Sequence, residues 1–590
     1  MRRVVVVGLV VLVVGCCLAG VAVGHPAETA GDSSVDRLES TVSPSSPAPA
    51  LRSASTASTA TDDEIRMTTT LDRTPERTGE ITATVSFGLS SRVTELTAVV
   101  PEGSTVTATN GFSQSADREY TWDEQTTAPA VSYRLEADST VDEEGPLAED
   151  GRYLFADTDA WALVRIPSTG VRWTRTGGPD DDLAFVRETA VDGPGAAGDR
   201  IAFLGEHRTE THTAHGQTFR LVVPDAAELA APVDEIFASL SHASDALRVG
   251  SRDDEVFIVA APTDDVGWAV RGLQTGESDL WVQDSEPLDS PLNVWIHEYV
   301  HTRQAVEPTD QTEWLIEAGA TYYAAQLTLE QNRIEFAEFE RFLQQGETHS
   351  AVLAAPESWQ ADTDYEKGAL VAGELDRQIR LSTDSRSSFE RVLWSLNSHD
   401  GELSAAAFEQ YVTDASTTAV GAAATRYTTT DDTPQMWSSD DHATAFGQTP
   451  ARFSFELAAD EPLVITARNG STRSVETVPR LTVGESLTVR LTVRNIGDTV
   501  GRYELPFSVA SETSTETGRL TPGETATHEF SHTFDEPGSY IVVVGDERFD
   551  VRVEPAESQL PVDVDTAGFG PTLAVVAVVI GSLALGRRRS

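Results

Sequence analysis

The segment His297-Glu-Tyr-Val-His301 places two imidazoles four positions apart inside an apolar run that starts at Asn293. On a helix this spacing puts both rings on one face, one turn apart, where they can share one zinc ion. Glu298 follows the first histidine and can reach a water at the metal, the place a general base needs. A third ligand is required, and Glu317 comes 16 positions after His301 in Glu313-Trp-Leu-Ile-Glu317-Ala-Gly-Ala-Thr-Tyr-Tyr-Ala324. Pro308 and Asp310 are expected to break the first helix, and Asp310-x-x-Glu313 reads as a capping box opening a second, antiparallel one. Glu317, one turn beyond Glu313, then faces the histidine pair and completes a His-His-Glu set with a fourth position left for water. Glu313 is the less attractive ligand, because its side chain is wanted at the helix start.

Two other sources of zinc ligands can be weighed from the sequence. Both cysteines, Cys16 and Cys17, lie in an N-terminal apolar run, so cysteine-ligated zinc and disulfide staples are excluded beyond it. His207, His212 and His215 have spacings of five and three in a strand-turn context, which do not share one face, and a solvated hairpin is expected there.

The elements that must position these residues belong to a modular chain, since 590 residues exceed what one core organises. Residues 64–216 show short alternating runs such as Ile81 to Phe87 and Val131 to Ala137, the pattern of an N-terminal antiparallel β domain. From 217 to 435 the period becomes helical around a buried-strand run, Val256 to Ala260, and predicts an α-rich domain with a small sheet. Residues 452–555 return to a period of two, with turns at Gly484, Gly497, Gly523 and Gly538, and fit a β-sandwich. The fold class is therefore multidomain α+β. Asn469-Gly-Ser471 is a glycosylation sequon.

The motif pair HEYVH and WLIEAGATYYAA resembles the gluzincin metallopeptidases, and among them the glycyl aminopeptidase-like branch. The resemblance covers about 200 residues and implies a thermolysin-like zincin domain with Zn2+ held by His297, His301 and Glu317, Glu298 as base, and a peptide or protein substrate. Where that branch usually has glycine after the ligand glutamate, this chain has Ala318. Asp364-Tyr-Glu-Lys-Gly-Ala369 is similar to a second gluzincin motif, which implies that the Tyr365 hydroxyl binds the oxyanion of the tetrahedral intermediate. The family's amino-group strand is matched only by Arg271-Gly-Leu-Gln-Thr-Gly-Glu-Ser-Asp-Leu-Trp281. Gln274 stands in place of the anchoring glutamate, and a neutral amide cannot pair with an ammonium as a carboxylate does. Glu277 is the substitute on offer, in a turn. The expectation is a peptidase, exo- or endo-acting, that cuts free and N-acetylated peptides alike.

The remaining sequence addresses the chain to a membrane. Residues 1–24 read as an export signal, with Cys16 as an alternative lipidation site after Val13-Val-Gly. Residues 25–63 read as a disordered Ser/Thr/Pro stalk and 556–570 as a linker. Residues 571–586 form a short uncharged membrane segment, and the basic 587–590 tail orients it with the bulk of the chain outside. The run from Ala567 through the terminal arginines resembles the sorting signal that an archaeosortase processes on haloarchaeal surface proteins, with Ala567 where proline is usual. Composition agrees with such an origin. A net charge of -51 with Lys367 as the one lysine suits a fold solvated in concentrated salt and repels nucleic acid. The competing reading is an envelope or adhesion protein that keeps a zincin domain as a scaffold with little turnover.

Overall fold

The computed structural model describes residues 64–176, 183–447, 452–475, 479–497, 500–509, 512–545 and 547–555. The expected export signal, Cys16, the stalk, the 556–570 linker, the 571–586 membrane segment and the basic tail lie outside them. No helix among the described residues is long and apolar enough to cross a membrane.

Alternation builds the N-terminal domain as expected. Strand Glu80–Gly88 buries Ile81, Ala83, Val85 and Phe87 on one face, and its five-stranded sheet shares a core with a four-stranded sheet that contributes Leu96, Ala98 and Tyr120. The sheet is not wholly antiparallel: Glu64–Arg73 pairs in parallel with Ala184–Val191. The hundred-residue connection between those strands permits a pairing that a tight hairpin forbids. A third sheet lays Phe155, Trp161, Leu163, Ile201 and Phe203 against Phe257, Trp268 and Trp281 of the central domain. One apolar core therefore joins the two domains.

The central domain holds a five-stranded mixed sheet in the order His207–Ala214, Gln217–Pro224, Glu255–Ala261, Asp279–Gln283, Gly272–Thr275. The expected boundary at 216 falls in the turn of its first hairpin, where His215 and Gly216 have φ of 53° and 77°. Strand His207–Ala214 thus belongs to the central sheet, and its polar outer face gave no local sign of which sheet it joins. The helices α1 (Val233–Ala246), α2 (Val294–His301), α3 (Leu315–Glu330), α4 (Phe336–Leu343) and α5 (Thr363–Thr383) share one core with that sheet. The core runs on past the expected end at 435 to Trp437, with Phe446 packed against it.

Two helix ends differ from the sequence reading. Helix α2 is opened by Asn293, whose side chain accepts from the Ile296 amide at 3.3 Å, and it ends at His301, well before Pro308. The residue before α3 is Trp314, with no side-chain cap, so the Asp310/Glu313 capping box does not form. Thr309 and Thr312 organise the entry instead: the Thr309 amide donates to the Thr312 hydroxyl at 3.0 Å, and that hydroxyl donates to the Leu403 carbonyl at 2.9 Å. A buried threonine tied to a distant carbonyl holds a turn that two exposed acids only suggest.

The C-terminal domain is a sandwich of two five-stranded sheets. Leu487, Val489, Leu491 and Val493 of one meet Leu505, Phe507, Val542 and Val544 of the other in a single core.

Candidate metal centre

Helices α2 and α3 bring three donors together. His297 Nε2 and His301 Nε2 lie 3.1 Å apart, and Glu317 Oε2 lies 3.2 Å from the first and 3.5 Å from the second. Two nitrogens on one tetrahedral zinc at 2.0–2.1 Å would be roughly 3.3 Å apart. Glu317 Oε2 is buried and, among the described residues, accepts no aligned hydrogen bond, which leaves an unpartnered oxygen beside the two imidazoles. The donor set and the orphaned oxygen fit Zn2+.

His301 is oriented from behind. Gln304 donates from Nε2 to the Ile316 carbonyl at 3.0 Å, which turns its Oε1 toward His301 Nδ1 at 2.9 Å. An oxygen there requires Nδ1 to carry the proton, and Nε2 is left with the lone pair a metal needs. His297 Nδ1 is buried without a partner among the described residues, and Tyr365 covers that ring instead.

Charge in the bare site reflects crowding. Burial pushes Glu298 up to about 7. Burial opposes charge on His301, but Glu317 outweighs it and raises the imidazole to about 9. Glu317 is itself held well below the usual carboxylate range, because the two histidines overcome its desolvation.

Glu298 is buried with its carboxylate against strand Gly272–Thr275. A methyl on Gly272 would sit 2.8 Å from Glu298 Oε1, so only glycine lets the strand lie this close. The Gln274 backbone amide then reaches the carboxylate and favours its charged form. The Gln274 side chain turns away, donating to the Gly276 carbonyl at 2.7 Å, and Glu277 is exposed on the same turn. Neither side chain joins the metal ligands. Glu313 is exposed and does not approach the histidines as a ligand. Asn469 is exposed on a turn of the sandwich, its side-chain oxygen accepting from Ser471.

Tyr365 enters from the first turn of α5 with its ring parallel to His297. Burial, then Glu317 and Asp364, push its phenol far above the ordinary value, which keeps it a proton donor. Three further groups escaped sequence reading. Gln304 stands three residues after His301, a spacing that could have flagged it. Asp364 is raised to about 7 by burial and by Glu317. Glu143, on a loop of the N-terminal domain, is raised by burial and by Glu317, and nothing local in the sequence marks it.

No family model matches this chain, and no curated protein does. Among solved structures it is similar to a mutant of the M1 zinc metallopeptidase from Deinococcus radiodurans bound to a Tyr-Ser-Ala substrate, at 14% identity over 63% of this chain and 95% of that one, with a TM-score of 0.40. It is also similar to an aminopeptidase N family protein from Idiomarina loihiensis, at 12% identity over 79% and 98%, with a TM-score of 0.41.

Proposed function

We propose that this chain is a zinc-dependent metallopeptidase, exported and held at the cell membrane with its described domains outside. One observation carries the catalytic part: the donors of His297, His301 and Glu317 converge, with Glu298 next to His297 on the same helix and the Tyr365 ring parallel to His297. Bound zinc would supply Lewis acidity to a peptide carbonyl and lower the pKa of water. Glu298, raised by burial, takes the proton from the attacking water at its carboxylate and passes it to the leaving amine. The Tyr365 hydroxyl donates to the carbonyl oxygen as negative charge develops there. Gly272 and the Gln274 amide fix the base. The membrane address rests on the terminal segments of the sequence.

The test is metal content and hydrolysis of a mixed peptide pool at high salt. Stoichiometric zinc is expected, with turnover lost on chelation and restored by zinc. A folded protein that binds zinc but cuts nothing would favour the scaffold reading.

A further inference from the structure

In a chain of net charge -51, six arginines line one cavity of about 480 Å³ between the central domain and the sandwich: Arg248, Arg386, Arg391, Arg452, Arg502 and Arg519. Three carboxylates share the lining, Glu390, Asp414 and Glu504. Some of these charges build the walls. Arg452 is held by Glu390 at 3.0 Å, Arg248 by Asp245 at 2.5 Å, and Arg391 lies 3.7 Å from Glu504 while covering the Trp394 ring.

Arg502 and Arg519 do not. They are direct cross-strand partners on the hairpin Gly501–Val509/Glu512–Leu520, both are exposed, and neither guanidinium has an ion pair among the described residues. Like charges opposite one another on antiparallel strands weaken the pairing. A bound anion would relieve that repulsion, and the planar guanidinium fork matches a carboxylate.

We infer that this cavity binds an acidic peptide segment. A single small oxyanion would leave most of such a volume and most of the arginines unused, whereas successive carboxylates on a short chain can reach several forks. Trp394, Phe453 and Tyr503 among the arginines give the intervening backbone an apolar surface. The site is separate from the metal centre. Glu317 lies in the first turn of α3, and Glu330, which feels the charge of Arg452, ends it, about 20 Å further along at 1.5 Å per residue. The inference goes beyond hydrolysis and does not depend on it.

The experiment uses the full chain, at the lowest salt that keeps its circular dichroism native. A short fluorescein-labelled peptide rich in glutamate is compared by anisotropy with its glutamine counterpart. The glutamate peptide should bind at least ~10-fold more tightly, and weaken as salt is added. Arg502→Gln/Arg519→Gln should reduce that affinity by about 10-fold or more. Its melting temperature should be no lower than that of the native chain, since a repulsion has been removed. Arg386→Gln, at the exposed rim, should weaken binding in the same direction and serves should the double variant misfold. Equal binding of the two peptides would overturn the proposal, as would undiminished affinity in the variants. So would sulfate displacing the peptide at the peptide's own dissociation constant, which would make this a simple-anion site.

Discussion

The phenol ring of Tyr365 lies parallel to the imidazole of His297, with 6.1 Å between centroids and 11° between planes. One residue lies in the first turn of α5 and the other within α2, so the two helices meet at this ring pair. The Nδ1 edge of the same imidazole has no hydrogen-bond partner among the described residues.

Tyr365→Phe keeps the ring and removes only the hydroxyl. Zinc content should be unchanged and kcat should fall by about 10²–10³-fold, as for loss of an oxyanion donor. An unchanged kcat in steady-state assays would reduce Tyr365 to a packing residue.

Glu298→Gln preserves the contact with Gly272 and the shape of the carboxylate. Turnover should drop by roughly 10²–10⁴-fold with the metal retained, measured by activity and elemental analysis on the same sample. Zinc loss would mean that Glu298 supports the ligands rather than the proton transfer.

Gln304→Leu removes the acceptor that sets the His301 tautomer. Zinc affinity should fall about 10–100-fold by competition with a chelator, the usual effect of an outer-shell partner. Glu317→Ala should fall further, because two imidazoles alone hold the ion poorly.

Gly368 in α5 faces Ala318, the residue that follows the third ligand. A methyl on Gly368 would lie 2.7 Å from the Ala318 methyl. Overpacking of this kind costs about 1–3 kcal/mol, partly offset by roughly 0.8–1 kcal/mol of helix propensity. Gly368→Ala should therefore lower the melting temperature, and adding Ala318→Gly should recover most of the loss in a double-mutant cycle. Additive losses would show that the two positions do not meet.

Glu143 offers an alternative to the expectation drawn from Gln274. It brings a carboxylate near Glu317 from another domain and has no ion pair among the described residues. Such a group favours an ammonium. Glu143→Gln should lower kcat/KM for peptides with a free amino terminus by about 10-fold while sparing N-acetylated ones. If the native protein cuts both kinds equally, the cleft has no ammonium site.

The convergence of His297 and His301 was legible because imidazoles at i and i+4 are a local relationship, and a helix enforces it. The alternation in Glu80–Gly88 was legible because it too is local, a period of two along one strand. The opening of α3 was misread: Asp310 and Glu313 have the right spacing for a cap, but the turn is decided by the bond from Thr312 to Leu403, which no nearby residue announces. Gly272 against Glu298 and Glu143 near Glu317 are likewise products of tertiary approach. The arginine cavity draws on residues from 248 to 519, so no sequence window contains it.

Lys367 is fully buried two residues after Tyr365, with its Nζ donating to the Ala351 carbonyl at 2.7 Å. Apart from its own amino terminus, the chain offers amine-directed reagents no other target. Acylation of that side chain requires its Nζ to part from the Ala351 carbonyl. The rate of labelling is therefore expected to report local opening two residues from Tyr365, readable by mass spectrometry without adding a probe.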